Sequence, residues 1–380
     1  MFDYGVVLIS LEYPPYSVGG LASHTLSLAK ALSKRCIKTT VFCGTLKFEE
    51  SYDDNDYLRV IRLPFTNVPP RYLWFQIENA KSISRQLQGS KVIHGVDARS
   101  SLGVFHLIRK SKFPRVATLH EHPLMALKEN VKIFPFEWNF RDFLDSAAYP
   151  LNNYLISKTL QYSDLIVVPG KWTKKYLISV DSRISPERVH VIYNGVDFED
   201  IDGIPLAESE KADLNMISYG RLVTTKGFTY LLHIMPRLCK DFPNLHLQIV
   251  GKGPTENSIR SQIADLNIRD KVHLRGYLPH SQLIREIKKS DLVVLPTFHE
   301  VGPFIAALEA MACSKTVVVF DLCFSREFVI NMKNGLVAKA FDMNDLYDKV
   351  VMALSDGDLR GKLGRNAYEY VKKNHNWDTL

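Results

Sequence analysis

The sequence predicts an α/β protein made of two doubly wound domains. Short runs rich in β-branched residues alternate with amphipathic segments along the whole chain, which is typical of parallel strands joined by helical crossovers. The 380 residues also exceed the length that one hydrophobic core usually serves. Acidic and turn residues without an apolar period follow residue 196. We therefore expect an N-terminal domain (1–196), an exposed linker (197–212), a C-terminal domain (213–365) and a last helix end (366–380) as a candidate to pack back on the N-terminal domain.

The first domain is predicted to contain seven strands with helices between them. The strands are Tyr4–Ser10, Lys38–Cys43, Leu58–Leu63, Lys91–Gly95, Arg115–His120, Asp164–Pro169 and Arg188–Tyr193. The clearest helical patterns are Leu21–Lys34, Tyr72–Leu87 and Glu137–Tyr162.

The second domain repeats this alternation. Its predicted strands are Leu214–Tyr219, His246–Val250, Lys271–Arg275, Asp291–Leu295 and Thr316–Phe320. Residues 226–240 have one apolar face at helical spacing, and the last helix is Asp356–Asn374. Ligands of open α/β sheets bind at the carboxyl ends of the strands, so we expect a cleft where two such domains face each other.

Composition excludes several classes of protein. Hydrophobic residues make up 46% of the chain and charged residues 23%, which excludes a disordered, collagenous or disulfide-rich protein. The five cysteines form no CxxC pair, and no apolar run is long enough for a membrane span. We expect a cytoplasmic protein with at most peripheral contact at the inner membrane face.

The positive charge is concentrated in the first half of the chain. Residues 1–195 carry 25 Lys and Arg against 17 Asp and Glu, whereas residues 196–380 carry a net charge of −1. Such a basic surface could meet anionic lipid, a phosphorylated acceptor or nucleic acid, although no nucleic-acid recognition motif is present. A plain solvated surface with excess lysine remains the alternative.

One turn in the second domain predicts an anion site. Arg221 and Lys226 lie between a strand and a helix, near the free N–H groups and positive dipole end of that helix. A loop with two solvated cations is the alternative. Gly251 and Gly253 form a second tight turn after the next strand, but the third glycine of a dinucleotide-binding fingerprint is missing.

The first domain offers fewer candidate residues. Gly19 and Gly20 lie between the first strand and its helix, where paired glycines let the backbone approach a ligand, although a plain turn explains them equally well. His120 ends a predicted strand, where side chains point toward a cleft.

Two glutamates follow the strand that ends near Pro296. Glu300 and Glu309 bracket an apolar segment, and Glu309 lies among Ala and Leu on a predicted helix. A carboxylate there needs a partner or a ligand, because burying it alone is costly. Both could accept from sugar or ribose hydroxyls, while a helix-terminal carboxylate with no ligand is the alternative.

Taken in order, these motifs resemble the retaining glycosyltransferases of family 4, which have the two-domain GT-B fold. The resemblance covers nearly the whole chain and is most specific over residues 217–335. It rests on the early Gly-Gly turn, the Tyr193–Asp197 junction, Gly220–Gly227, Val250–Pro254, Gly276–Leu278 and Asp291–Ala312.

The resemblance implies a nucleotide-sugar donor in the second domain and an acceptor in the first. Arg221 and Lys226 would neutralise the donor diphosphate, and Glu309 would accept from the ribose. Glu300 would contact the sugar, and His120 would lie near it. Backbone near Tyr277 and Leu278 would meet the base, and the remaining donor-binding residues would be Gly19, Gly20, Gly251, Phe304 and Ile305.

The implied activity is transfer of a hexose, with retention, from a UDP- or GDP-sugar to a lipid-linked, glycan or small polar acceptor. No cofactor or metal is expected, because Arg221 and Lys226 can replace a divalent ion and the second domain has no Asp-x-Asp motif. A sugar-nucleotide epimerase of the same fold and a nucleotide-sugar-binding protein with little activity are the alternatives. One departure bears on them: the family's two glutamates are normally eight positions apart, whereas Glu300 and Glu309 are nine apart. Either the loop bulges by one residue or Glu300 is displaced from its sugar contact.

Overall fold

The computed structural model describes residues 5–16, 20–46, 51–120, 149–205 and 213–380. The chain divides into two compact units, Met1–Tyr193 and Asn194–Leu380. Each unit is built around one mainly parallel sheet, which confirms the predicted α/β class. None of the helices in the described ranges combines the length and apolarity needed to cross a bilayer.

The sheet of the first unit has the order β3-β4-β2-β1-β5-β6-β7-β8. All neighbours pair in parallel except β3, which is antiparallel to β4 at the edge. The strands are β1 (Val6–Ser10), β2 (Thr39–Thr45), β3 (Tyr52–Asn55), β4 (Leu58–Pro64), β5 (Val92–Gly95), β6 (Arg115–Thr118), β7 (Leu165–Val168) and β8 (Val189–Val191). The described helices are α1 (Gly20–Lys34), α2 (Arg71–Arg85), α3 (Ala98–Leu107), α4 (Tyr149–Tyr162) and α5 (Lys171–Val180).

The second sheet has the order β11-β10-β9-β12-β13-β14 and is wholly parallel. Its strands are β9 (Leu214–Tyr219), β10 (Leu245–Val250), β11 (Val272–Gly276), β12 (Leu292–Leu295), β13 (Val317–Asp321) and β14 (Leu336–Lys339). The helices are α6 (Phe198–Asp202), α7 (Phe228–Asp241), α8 (Glu256–Asp265), α9 (His280–Lys289), α10 (Ile305–Ala312), α11 (Met343–Ser355) and α12 (Gly357–Asn374).

Strands of the second sheet are buried on both faces. Along β12, Leu292 and Val294 join one hydrophobic cluster, while Val293 and Leu295 join the cluster on the other side. Strands buried in this way consist of continuous apolar residues, which is why short β-branched runs located them. The order of strands reverses between β9 and β12 here and between β1 and β5 in the first sheet, and these reversals mark where ligands bind in such folds.

Several observed elements lie outside the ranges that the sequence predicted. β3 is a polar strand at a sheet edge, and β14 is a short outer strand. The sequence pattern also missed α3, which begins where the Asp97 side chain accepts from the Arg99 N–H, and α5. Of the predicted helix Glu137–Tyr162, residues 137–148 lie outside the described residues.

The predicted linker was expected to be exposed, and for its first residues this expectation is wrong. Phe198 and Ile201 are buried in a hydrophobic cluster of the second unit, on the short helix α6. Apolar residues three positions apart share a helix face, and burying them stabilises the segment more than solvent exposure would. Residues 206–212 lie outside the described residues.

The C-terminal segment contacts the beginning of the second unit. Asn376 forms a parallel bridge with Val196, and His375 hydrogen-bonds through Nδ1 to the Asn194 carbonyl at 2.9 Å. Packing of residues 366–380 on the N-terminal domain stays a prediction.

Candidate active site

The turns that follow β9 and β12 are joined at the strand reversal of the second sheet. The Thr225 carbonyl accepts from the Phe298 N–H at 3.0 Å and from the Thr297 hydroxyl at 3.1 Å. Gly227 has φ +71°, and a Cβ there would lie 2.0 Å from the Pro296 carbonyl oxygen. Only glycine fits this position, so the two turns are held in close contact.

Lys226 and Glu300 meet across these two turns. Lys226 ends the short 3₁₀ turn Thr224–Lys226, and its Nζ contacts Glu300 Oε1. Both side chains are partly buried, with exposed fractions of 27% and 19%. The Phe304 ring centroid lies 6.0 Å from the ammonium group. The pair places a positive charge beside an acceptor at the carboxyl end of the sheet.

Arg221 lies in the turn just after β9. Its side chain is exposed, and the guanidinium forms no hydrogen bond or ion pair with the residues that the structure describes. The two predicted cations therefore differ, since Lys226 is held by a carboxylate whereas Arg221 is open to an incoming anion.

Glu309 is buried, and its partner is His280. Glu309 lies on α10 with 8% exposure, and Oε1 is 2.9 Å from Nε2 of His280, the first residue of α9. The hydrogen bond to Glu309 raises the pKa of His280, which favours the protonated form of the imidazole. One oxygen of the Glu309 carboxylate is thus engaged by the His280 imidazole.

Tyr219 is the last residue of β9 and is buried next to the start of α10. Its hydroxyl donates to the Ala306 carbonyl in the first turn of α10. Burial, and then the charge of Glu309, raise the pKa of Tyr219 well above its usual range. The phenol is therefore a neutral donor that fixes the start of α10.

Turns after β9, β10 and β11 stack on one another through their backbones. Gly220 donates to Val250 at 3.0 Å, and Gly251 donates to Gly276 at 2.8 Å. Gly251 has φ +145°, and a Cβ there would lie 1.9 Å from the Gly220 carbonyl oxygen. Beyond this stack, Tyr277 is 69% exposed.

Residues 301–303, which follow Glu300, form a bend. Val301, which occupies the eight-residue position, is buried and offers no carboxylate. Asn194 Nδ2 donates to the Pro303 carbonyl at 2.8 Å, which holds the bend in place. The carboxylate at the ninth position, Glu300, lies against Lys226.

Three histidines lie together at the strand reversal of the first sheet. The His24 and His120 ring centroids are 4.4 Å apart, and His94 Nε2 is 2.7 Å from Thr118 Oγ1. Burial lowers the pKa of both His94 and His120 to about 3, with a smaller contribution from the neighbouring histidines. His120 is therefore neutral at physiological pH, and its Nε2 has no hydrogen-bond partner among the described residues. Such a nitrogen can exchange a hydrogen bond with a sugar hydroxyl.

Comparison with known proteins agrees with this geometry. The profile of Glycosyltransferase Family 4 matches residues 18–200, and that of Glycosyl transferases group 1 matches residues 206–370. The chain is a family 4-like glycosyltransferase with the GT-B fold.

Individual relatives match nearly the full chain or part of it. An uncharacterised glycosyltransferase of Methanocaldococcus jannaschii is 28% identical over 99% of this chain and 95% of its own length. A Campylobacter jejuni enzyme, N-acetylgalactosamine-N,N'-diacetylbacillosaminyl-diphospho-undecaprenol 4-alpha-N-acetylgalactosaminyltransferase, is 28% identical over 58% of this chain and 61% of its own length. The crystal structure of Anabaena HepE with UDP and glucose has a TM-score of 0.75 at 15% identity, covering 99% of this chain and 96% of that chain.

The glycosyltransferase brings several predicted residues together and leaves others apart. Lys226, Glu300 and Phe304 form one group, and Glu309 is joined to His280 rather than to either cation. Ile305 begins α10, Leu278 packs against the apolar cluster beneath it, and Gly251 lies in the stacked turns. In the first unit, Gly20 begins α1, while Gly19 lies outside the described residues.

Sequence reasoning missed His24, His94 and His280. His94 lies near the carboxyl end of β5, and His120 directly follows β6. A histidine at the end of a predicted strand is the signal that identified His120, and it would also have identified His94. His24 and His280 lie within or at the start of helices, where a lone histidine gives no local indication of its partner.

Proposed function

We propose that this glycosyltransferase moves a hexose from a UDP-sugar to a lipid-linked, glycan or small polar acceptor, with retention and without a metal ion. A GDP-sugar is the alternative donor. The observation that carries the proposal is the Lys226–Glu300 pair, held at the strand reversal of the second sheet, where Arg221 in the turn after β9 offers an exposed guanidinium. A donor diphosphate is bound by cations at the carboxyl end of the sheet. The hydroxyls of the adjacent sugar are bound by a hydrogen-bond acceptor such as a carboxylate.

The pair suits the departure of a nucleoside diphosphate. As the bond from sugar C1 to the diphosphate breaks, negative charge builds on the leaving oxygen, and Lys226 and Arg221 stabilise it. The acceptor oxygen bonds to C1 on the same face of the ring, and its proton passes to the leaving diphosphate oxygen. Glu300, released from Lys226 by the phosphate, accepts from a sugar hydroxyl.

The other named residues bind rather than react. Glu309 has one oxygen on His280 and accepts from the ribose hydroxyls with the other. His120 is neutral, so it offers a hydrogen bond near the reacting sugar without adding charge. Support for UDP comes from the HepE complex, and support for a lipid-linked acceptor comes from the name of the C. jejuni relative.

The first experiment is a thermal-shift screen of the protein with UDP, GDP, ADP and dTDP. Ligand binding raises apparent stability by mass action, so the correct base gives the largest shift. We expect UDP to do so, and a shift with none of the four would contradict a nucleotide-sugar site.

The second experiment incubates the protein with the preferred donor and a broad acceptor extract. Nucleoside diphosphate release with a glycosylated product supports transfer. Isomerised donor would indicate an epimerase, and binding without turnover would indicate a nucleotide-sugar-binding protein.

A further inference from the structure

Three helices of the first unit surround an apolar groove on its surface. α3 packs against both α2 and α4. Gln76 on α2 donates to the Arg99 carbonyl and accepts from the Gly103 N–H, and Thr159 on α4 donates to the Ala98 carbonyl at 2.8 Å. The groove has a volume of about 400 Å³, and we call this surface the α2–α4 face.

Large apolar side chains on this face are turned outward. Ile77 is 62% exposed, Leu107 is 50% exposed and Tyr154 is 57% exposed, and all three line the groove. Single exposed apolar residues are ordinary, but one such side chain from each of three adjacent helices around one groove is the pattern of a binding surface.

The same face is strongly basic. Residues 98–115 contain five Lys and Arg and no Asp or Glu, although Arg99 and Arg115 pair with Asp97 and Asp164, and α4 contains one lysine and no acid. Lys81, Lys110 and Lys112 are exposed and form no ion pair within the described residues. The acidic residue of α2, Glu78, is engaged with the N–H and hydroxyl of Thr66.

We propose that the α2–α4 face docks the protein on an anionic lipid bilayer. The apolar side chains of Ile77, Leu107 and Tyr154 enter the interface between headgroups and acyl chains, and the lysines lie against the lipid phosphates. A tyrosine suits that depth, because its ring is apolar and its hydroxyl stays hydrated. A second copy of this face would bring unpaired lysines close together. Their repulsion makes self-association less favourable than binding to an anionic bilayer.

This inference extends the proposed function by naming where the membrane is bound. A bilayer there would supply a lipid-linked acceptor at high local concentration. Docking needs no sugar donor, so its test and the test of sugar transfer fail independently.

The test is sedimentation of the full chain with phosphatidylcholine vesicles, with and without about 30% phosphatidylglycerol. We expect binding to the anionic vesicles at about 0.1 M salt, weak binding to the neutral ones, and release at about 0.5 M salt as the charges are screened. Equal binding to both kinds of vesicle, or none to either, would overturn the proposal.

Two pairs of substitutions locate the surface. Lys110→Glu with Lys112→Glu, and Ile77→Ser with Leu107→Ser, are each expected to lower the partition coefficient at least about tenfold. Their matched controls in the second unit are Lys240→Glu with Lys362→Glu and Met343→Ser with Met352→Ser, which change exposed helical residues of the same kinds. Controls that lower binding as much as the test pairs would show a diffuse charge or apolar effect and contradict the assignment.

Folding and self-association are followed in the same samples. Circular dichroism and the UDP thermal shift show whether each variant is folded. If Ile77→Ser with Leu107→Ser instead lowers the oligomeric state of the lipid-free protein in analytical ultracentrifugation, the face is a contact between copies and the proposal is wrong.

Discussion

The strand reversals of the two sheets carry opposite chemistry. In the second unit, Lys226 is held by Glu300, and Glu309 is held by a histidine whose pKa is raised. In the first unit, burial lowers the pKa of His94 and His120 to about 3, so the imidazoles there are neutral. Similar topology thus supports a charged site in one unit and an uncharged polar site in the other.

This difference corresponds to the two kinds of group in the proposed reaction. A donor diphosphate needs cations that stay charged while the leaving group gains negative charge. A sugar or hydroxyl acceptor needs hydrogen bonds without a fixed charge. Net charge alone would have placed the donor diphosphate in the first unit, because the first half of the chain is the basic one.

The largest expected effect is on turnover when a phosphate cation is removed. Lys226→Ala or Arg221→Ala is expected to lower kcat/KM about 10²–10³-fold, by analogy with the loss of one oxyanion donor. The measurement is release of nucleoside diphosphate, with Lys240→Ala as an exposed-lysine control. Turnover at the parental rate in either variant would remove that residue from the mechanism.

A smaller effect distinguishes the two glutamates. Glu309→Ala is expected to lower kcat/KM about 10–100-fold, because a charge-assisted hydrogen bond to the ribose is lost and His280 is left without its partner. Glu300→Ala is expected to lower kcat/KM about tenfold or less, because Glu300 lies nine positions before Glu309 instead of the eight usual in the family, which weakens its expected sugar contact. Equal losses would mean that the bend at residues 301–303 restores the family geometry fully.

Acid stability tests the neutral histidines of the first unit. Their folded-state pKa lies below the unfolded value of 6.5, so the stabilisation is full above about pH 6.5 and falls as the pH drops toward 3. At pH 5 the loss is about 1–2 kcal/mol for each histidine. The urea midpoint of the parent should therefore fall more between pH 7.5 and pH 5 than that of His94→Gln, with His233→Gln, an exposed histidine, as the control. Identical falls in all three proteins would contradict the buried, neutral assignment.

The smallest expected effect has the opposite sign and belongs to His280. Its folded-state pKa is raised above 6.5 by Glu309, so the stabilisation is full below about pH 6.5 and is lost as the pH rises through the folded value. The side chain is 49% exposed, so solvent screening limits the contribution to under about 1 kcal/mol. We expect His280→Gln to lower Tm by about 1–2 °C at pH 6 and by less at pH 8.5. A larger loss at pH 8.5 would show that a neutral His280 makes the contact.

Local patterns in the sequence predicted much of the fold and part of the site. Buried strands such as β9 and β12 are continuous apolar runs, and Lys226 lies in a recognisable turn between a strand and a helix. The polar edge strand β3 lacks that signal, because one side of it needs no apolar residues.

Partners that come from distant elements could not be predicted. His280 and Glu309 are 29 residues apart and meet only because α9 and α10 pack together. Likewise, Phe198 and Ile201 stand in an acidic stretch, and their burial depends on the surface that the rest of the second unit offers them.

The central claim is that the donor phosphates bind in the second unit and not at the histidines of the first. Calorimetric titration of UDP into the parent, Lys226→Ala and His120→Asn tests it most directly. We expect Lys226→Ala to weaken binding at least about tenfold, the value of one charge-assisted contact, and His120→Asn to leave it unchanged. Two results would contradict the account: Lys226→Ala binding UDP as tightly as the parent does, or His120→Asn being the only variant with weakened UDP binding.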